Sequence, residues 1–529
     1  KSEMIKYINS VVVSQQKYIS VSRPRRFGKT MAADMICAYY DKTADSRALF
    51  QELKLATSPS EDRTRPWDKY LGKFDVLRFV MTDFLADSKD VGDMIRYLTD
   101  EVTRELLKAY PDIEYGSRIN LRTVMNAIYV ETGQQFVIVI DEWDAVFRTW
   151  KEDKDGQTKY LDFLRDLMKD KPYIALAYMT GILPIKKYGQ HSALNMFTEY
   201  SMMAPMQLAS YTGFTEDEVL NLCKTYNMQY DDIKSWYDGY LISDKIPLSM
   251  RSEYREGKYT GNKISIYSPL SVISAMQTGY IKNYWNKTET YEALAEYIRK
   301  DYDGLKEAVA LLMDGGRVVI DTSTYQNDMT TFSGRDDILS LLIHLGYLGY
   351  DDENSAVFIP NREILDEFKT STKTSEWTDT FKSFEVSQKL LKATWECDAD
   401  KVAELLEYVH DRAGNKTYND EAALSYAVQL AYYAAQKYYT TVLELDTGKG
   451  YADIVYLPSP KYPDKPALLI ELKYDKNIDA AISQIKNKNY PDRLEHYKGH
   501  ILLVGINYDK EARSDDNAYK HHTCTIEKI

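Results

Sequence analysis

One octapeptide limits the folds open to this chain more than any other feature. Arg23-Pro24-Arg25-Arg26-Phe27-Gly28-Lys29-Thr30 follows a short strand pattern at 17–22 (KYISVS) and leads into a helical stretch, MAADMICAYY. The phosphate-binding template is GxxxxGK[ST]. Gly28, Lys29 and Thr30 match it, and Arg23 stands at the first-glycine position. At such a strand-to-helix turn the helix-start N–H groups point at an anion, and the helix dipole favours negative charge there. On this reading Arg25, Arg26, Phe27 and Gly28 line the nucleotide phosphates. Lys29 reaches the β and γ phosphates, and Thr30 holds Mg²⁺. Arg23, Arg25 and Arg26 add positive charge beside the loop. The bland alternative is a chance GKT in a basic turn.

A second segment raises the first above coincidence. Phe136-Val137-Ile138-Val139-Ile140 is a continuous apolar run ending in Asp141-Glu142. Such runs are buried on both faces, as in a parallel sheet. The strand then delivers Asp141 to the carboxyl edge, where ligands bind in α/β sheets. Asp141 there ligates Mg²⁺, and Glu142 polarises the attacking water as general base. Residues 74–81 and 173–182 read as further strands and 91–109 and 160–169 as helices. This alternation predicts an α/β fold with a parallel sheet.

The texture changes after residue 213. FTEDEVLNLC opens with Thr215 and has Glu218 three residues on, a capping box. Residues 216–330 read as mostly helical and Tyr-rich. Residues 336–368 read as helix, hairpin (GYLGYDDENSAVFIP) and helix, a winged-helix-like order, followed by a linker at 371–378. Helices are expected at 379–412, 419–437 and 478–489. Strands are expected at 440–457 and 467–473, with 500–506 as the last strand. In a strand, residues two apart share a face, so Glu471 and Lys473 in LLIELK project together. A hairpin brings Asp453, in GYADIV, beside Glu471. Two carboxylates and an ammonium at one point suit Mg²⁺. A water there attacks a phosphodiester, and Lys473 orients it or stabilises developing charge. The bland reading is a Glu471–Lys473 salt bridge on a solvated strand face.

RPRRFGKT, then IDEWD, then MTGILPI, resembles the AAA-ATPase-like family of P-loop proteins found in many bacteria. FTEDEV, WYDGY and YSPLSV also look like family signatures, and the resemblance covers roughly 1–275. Trp143 stands where that family commonly has Tyr. The resemblance implies ATP as ligand and a γ-phosphate sensor at Thr180. The D…ExK pattern resembles the PD-(D/E)xK nuclease superfamily, in the nuclease-like domain often fused behind such an ATPase. That resemblance implies roles for Gln484 in a helix facing the site and for Glu421 in the first helix as a further acidic group. Tyr451 stands where the family usually has Arg.

The expected architecture is therefore a P-loop NTPase parallel sheet at 1–213, a helical region at 214–335, and a winged-helix-like unit and linker at 336–378. A C-terminal α/β restriction-endonuclease-like domain completes it at 379–529. At ~150 residues per domain, 529 residues suit three or four domains. The net charge of −13 excludes a globally basic nucleic-acid coat, so contact with nucleic acid needs a local patch. Four dispersed cysteines without a CxxC pair suit a reducing, cytoplasmic setting. No run of 18 apolar residues predicts a membrane helix. Lys1-Ser2-Glu3-Met4-Ile5 does not read as a signal peptide, and the natural start is expected upstream of it. His521 and His522 are adjacent, and adjacent strand residues face opposite ways, so no shared metal site is expected there. The expected function is an ATP-binding and ATP-hydrolysing protein with a Mg²⁺-dependent nuclease domain, ATP gating cleavage of nucleic acid, DNA ahead of RNA. Homo-oligomerisation is left open. The alternatives are an ATP-dependent switch with an inert nuclease-like domain, and a scaffold whose arginine-rich loop contacts nucleic acid directly.

Overall fold

The runs read as buried strands form one sheet. Its elements are β1 (Tyr18–Ser22), α1 (Lys29–Tyr40), β2 (Asp75–Val80), α2 (Val91–Ala109), β3 (Phe136–Asp141), α3 (Lys154–Met168), β4 (Ile174–Gly181) and β5 (Thr198–Tyr200). All pairings are parallel, in the order β2-β3-β4-β1-β5. Every residue of β3 and β4 is buried, as apolar runs with helices on both faces require. Ile36, Tyr39 and Tyr40 of α1 join Val137, Val139, Ile19 and Val21 in one core. The register pairs Ser22 with Gly181 and Val80 with Asp141, so the strand ends meet at one edge. The computed structural model describes the chain except for 58–65, 186, 189–190, 193, 244–262, 286–289, 301, 303, 328, 374–376, 414–420, 447–450, 475–496, 498–499 and 513–520.

Beyond the sheet come β6 (Phe214–Thr215), α4 (Glu216–Tyr226), β7 (Tyr240–Ser243), β8 (Lys263–Tyr267) and α5 (Pro269–Thr278). The Thr215/Glu218 capping box is present: Thr215 N donates to Glu218 Oε2 at 2.9 Å. An antiparallel sheet, β6-β8-β7, stands inside the stretch read as helical. Its strands are short and far apart in sequence, so alternation within any one of them is a weak signal. Next come α6 (Arg335–Leu345), the hairpin β9 (Gly349–Asp351) and β10 (Ala356–Phe358), and α7 (Arg362–Ser371), in the order read from the sequence.

The chain divides into two units, Lys1–Tyr297 with Val319–Phe368, and Ile298–Val318 with Lys369–Ile529. In the second, α8 (Thr378–Trp395), α9 (Ala399–Ala413) and α10 (Glu421–Ala431) accompany five strands. These are β11 (Tyr439–Asp446), β12 (Tyr451–Pro458), β13 (Ala467–Tyr474), β14 (Ile501–Tyr508) and β15 (His522–Lys528), paired in that order. Only β13 and β14 run parallel. The helix Leu305–Met313 belongs to this unit, where Lys437 Nζ binds Asp314 Oδ2 at 2.8 Å. Ile470, Leu472 and Val504 face the helical core with Leu406 and Val428, while Leu469, Val455 and Leu503 face the other way. The last strand is β15, not 500–506: its sequence, HTCTIEK, is mixed rather than apolar, and pairing with β14 is what makes it a strand. The helix expected at 478–489 lies outside the described residues.

Candidate functional site

The loop between β1 and α1 is shaped by two left-handed residues, Arg26 (φ +67°) and Gly28 (φ +83°). Any side chain at Gly28 would strain that turn, from which α1 starts. Lys29 is 8% exposed, and its Nζ donates to the carbonyls of Arg23 (3.0 Å) and Pro24 (2.8 Å). Burial pushes the ammonium down to about pKa 8, against the pull of Asp144, Asp141 and Glu142. Thr30, in the first turn of α1, is exposed. A wall built from later sequence braces the loop. The Phe27 ring meets Tyr240 edge-on at 5.4 Å, the Tyr240 hydroxyl donates to Gly346 O at 2.5 Å, and Gly213 N donates to Phe27 O at 2.8 Å. Tyr240 of WYDGY thus has a packing role, which its motif did not disclose.

Arg23 corrects one expectation. Its side chain is fully buried, and Nη1 donates to the carbonyls of Ser22 and Tyr200, both at 2.9 Å. Burial pushes its pKa down to about 10. The guanidinium turns under the sheet to meet β5, so it adds no charge at the loop surface. Arg25 is half-buried and Arg26 exposed. An arginine-rich face of three residues for nucleic acid is therefore not formed.

Asp141 ends β3 at 2% exposure. Its Oδ1 accepts from Thr180 Oγ1 at 2.5 Å and from Glu142 N at 3.0 Å. The structure thus brings Thr180 to Asp141. Glu142 takes a left-handed backbone (φ +53°), unusual for a side-chain-bearing residue. Arg148 Nη2 holds its carboxylate at 2.7 Å. Two residues here escaped sequence reasoning. Asp144, fully buried, accepts from the N–H groups of Ile182 (3.1 Å) and Leu183 (3.0 Å) and from Arg148 Nε (3.3 Å). It ties the turn after β4 to the acidic strand end. IDEWD contains Asp144, and its i,i+4 spacing to Arg148 was the available signal. Gly181 is pressed against Trp143: a Cβ there would lie 2.7 Å from the indole.

In the second unit β12 and β13 pair antiparallel, Ile454 opposite Ile470. The paired register runs from there to Tyr456 opposite Leu468. Asp453 Oδ2 accepts from Leu472 N at 2.7 Å. Glu471 is 1% exposed and Lys473 6%. Lys473 Nζ lies 3.1 Å from Glu471 Oε1 and donates to Leu472 O at 2.9 Å. The pair is therefore buried, not on a solvated face. Glu421 opens α10 and Tyr451 opens β12. Gln484 lies outside the described residues. The donors at both sites, Thr30 and Asp141 in one and Asp453 and Glu471 in the other, are hydroxyl and carboxylate oxygens. Such hard donors fit Mg²⁺.

A third cluster draws His521 and His522 to one carboxylate, although the ligand atoms that gather with Glu407 and His410 come from His522 and not from His521. His522 is the first residue of β15 and His521 precedes the strand, so strand alternation does not separate them. Both reach one carboxylate on α9. His521 Nδ1 lies 2.6 Å from Glu407 Oε1, and His522 Nδ1 and backbone N each lie 3.0 Å from Oε2. Burial pushes the Glu407 carboxyl up, but the bonds from His522 and His521 outweigh it and hold its pKa down at about 2.

Comparison with known proteins follows the same division. Residues 4–190 match the family described as predicted AAA-ATPase, and residues 421–517 match the PD-(D/E)XK nuclease superfamily. The chain carries an AAA-ATPase-like domain and a PD-(D/E)XK nuclease superfamily domain. A protein described as "Uncharacterized protein in vnfD 5'region", from Azotobacter chroococcum mcd 1, is 22% identical over 297 residues, 54% of this chain. The chain spans about half the length of that curated relative, 50% of it. The ORC2 protein of Aeropyrum pernix, solved as ADPNP–ADP complexes, aligns over 70% of this chain and 93% of its own at 11% identity, with a TM-score of 0.23. That likeness is too loose to bear on the site. Among the described residues, no helix is long and apolar enough to cross a membrane.

Proposed function

We propose that this chain binds and hydrolyses ATP at the β1–α1 loop and cleaves nucleic acid at the β12–β13 pair, with ATP gating cleavage. One observation carries the reading: each of two separate sheets holds a buried lysine against a structured set of oxygens, Lys29 at the loop and Lys473 beside Glu471. Burying an ammonium is costly and adds little stability even when it is paired. Two such arrangements on the expected motifs favour function over packing.

At the first site Lys29 exchanges its two carbonyl partners for β- and γ-phosphate oxygens. Thr30 and Asp141 are the residues that would hold Mg²⁺, Glu142 accepts the proton of the attacking water, and Thr180 senses the γ-phosphate through Asp141. Arg25, Arg26 and Phe27 line the loop. At the second site Asp453 and Glu471 would hold Mg²⁺, with Glu421 as a further acidic group. Lys473 orients the water and stabilises charge developing on the phosphate, and Gln484 is assigned to positioning. Bound at either site, Mg²⁺ supplies Lewis-acid neutralisation of phosphate charge. DNA is the proposed polymer, and the site is proposed to act inside the cell.

Incubation with supercoiled plasmid and with single-stranded DNA tests the reading. Cleavage that needs Mg²⁺ and stops with EDTA is expected. Absence of cleavage on either DNA and on RNA would instead leave an ATP-dependent switch with an inert nuclease-like domain, a reading that Tyr451 in place of the usual arginine favours.

A further inference from the structure

We propose that Glu407, His410 and His522 form a binding site for a divalent transition ion of the Zn²⁺ class, separate from the two oxygen-donor sites. Three of the seven histidines of the chain, His410, His521 and His522, converge on this single carboxylate. Glu407 and His410 are three apart on α9 and so share a helix face. The strand β15 brings His522 to that face, and one ligand atom from each of the three lies within 4.8 Å of the others. Bonds of ~2.1 Å to one ion need donors roughly 3.5 Å apart, a contraction within reach of side-chain rotation.

The donor chemistry selects the ion. Two imidazole nitrogens and a carboxylate oxygen suit Zn²⁺ and its neighbours, whereas Mg²⁺ takes oxygen. His410 Nδ1 stands 3.9 Å from Glu407 Oε1, a separation that a shared ion bridges and a direct hydrogen bond does not. His410 and His522 are 1% and 0% exposed, so the ion would be shielded from water on the protein side. His521 acts as the outer partner that orients Glu407, as carboxylate ligands require. Tyr508 stacks on His521 at 5.4 Å and on Tyr474 at 5.4 Å, the residue after Lys473. The site thus fastens the last strand to α9 and connects, ring on ring, to the strand that carries Glu471 and Lys473. The rival is a Glu–His clamp without metal.

The test is calorimetric titration of the full chain, stripped with chelator, with Zn²⁺ alone. One equivalent is expected to bind far more tightly than Mg²⁺ does and to raise the melting temperature. His410→Ala should weaken that equivalent by about a hundredfold or more, whereas His500→Ala should leave it unchanged. No bound equivalent, or wild-type affinity in His410→Ala, overturns the site. Should His410→Ala fail to fold, X-ray absorption on the Zn²⁺-loaded wild-type chain decides. Two imidazoles and an oxygen are expected around the ion, and a shell with fewer than two imidazoles overturns the proposal.

Discussion

The phosphate loop and the β12–β13 pair each bury a lysine, and they hold it in opposite ways. Lys29 rests on two neutral carbonyls, those of Arg23 and Pro24. Lys473 touches a carboxylate, Glu471, at 3.1 Å. A neutral acceptor is readily exchanged for an anion, because the ammonium then meets a full opposite charge in place of a carbonyl dipole. An ion pair has to be shared instead. On the proposed function, the loop would receive a phosphate, and the strand pair would keep its charges together until a cation and a phosphodiester join them. The surroundings differ in the same sense. The loop is braced by Tyr240, Gly213 and Gly346, and the Asp453 carboxylate by the backbone Leu472 N.

Removing either lysine gives the sharpest contrast. Lys473→Ala is expected to lower DNA cleavage by about 10²–10³-fold, the range for loss of one preorganised charge, with ATP turnover unchanged. Lys29→Ala is expected to reduce ATP turnover on a similar scale, about 10²-fold or more, with Mg²⁺-dependent cleavage in the absence of ATP retained. Steady-state phosphate release and gel assays on both variants check this pair. Loss of ATP turnover in Lys473→Ala, or loss of the ATP-independent cleavage in Lys29→Ala, would erase the distinction between the sites.

A pH test reaches the wall behind the loop. Glu363 accepts from Ser271 Oγ and from the N–H groups of Tyr284 and Trp285, and Trp285 lies with Pro24 against Gly346. Burial raises its pKa from 4.5 to about 7 despite those hydrogen bonds. Between these values the folded chain holds a proton that the unfolded chain has lost. The contribution of Glu363 to stability should therefore be fullest below pH 4.5 and be lost as pH rises through 7, by an amount of order 3 kcal/mol. Glu363→Gln should flatten that slope in the melting transition of the first unit and leave the second unit's transition unmoved. A smaller effect is expected from Gly181→Ala, whose Cβ would meet Trp143 at 2.7 Å and Asp144 Oδ1 at 2.8 Å. Overpacking of this kind costs about 1–3 kcal/mol, read as a lower melting temperature in calorimetry.

What was legible in the sequence follows from range. β3 and β4 are continuous apolar runs, and burial on both faces leaves few other ways to fold them. The loop residues and the acid pair Asp141–Glu142 are local patterns, as are Glu471 and Lys473 at i,i+2. What was not legible are contacts that no spacing encodes. Arg23 turns inward because Tyr200, 177 residues away, offers a carbonyl. His521 and His522 meet because Glu407, on α9, has two oxygens to give them. The strand β15 exists by pairing with β14, and β6, β7 and β8 by pairing with one another.

The central claim is that the two sites act together, and the most direct measurement is the rate of Mg²⁺-dependent plasmid cleavage by the wild-type chain with and without ATP, beside Lys29→Ala. The account predicts that ATP changes the wild-type rate and leaves the Lys29→Ala rate unmoved. A wild-type rate that is the same with and without ATP would contradict it.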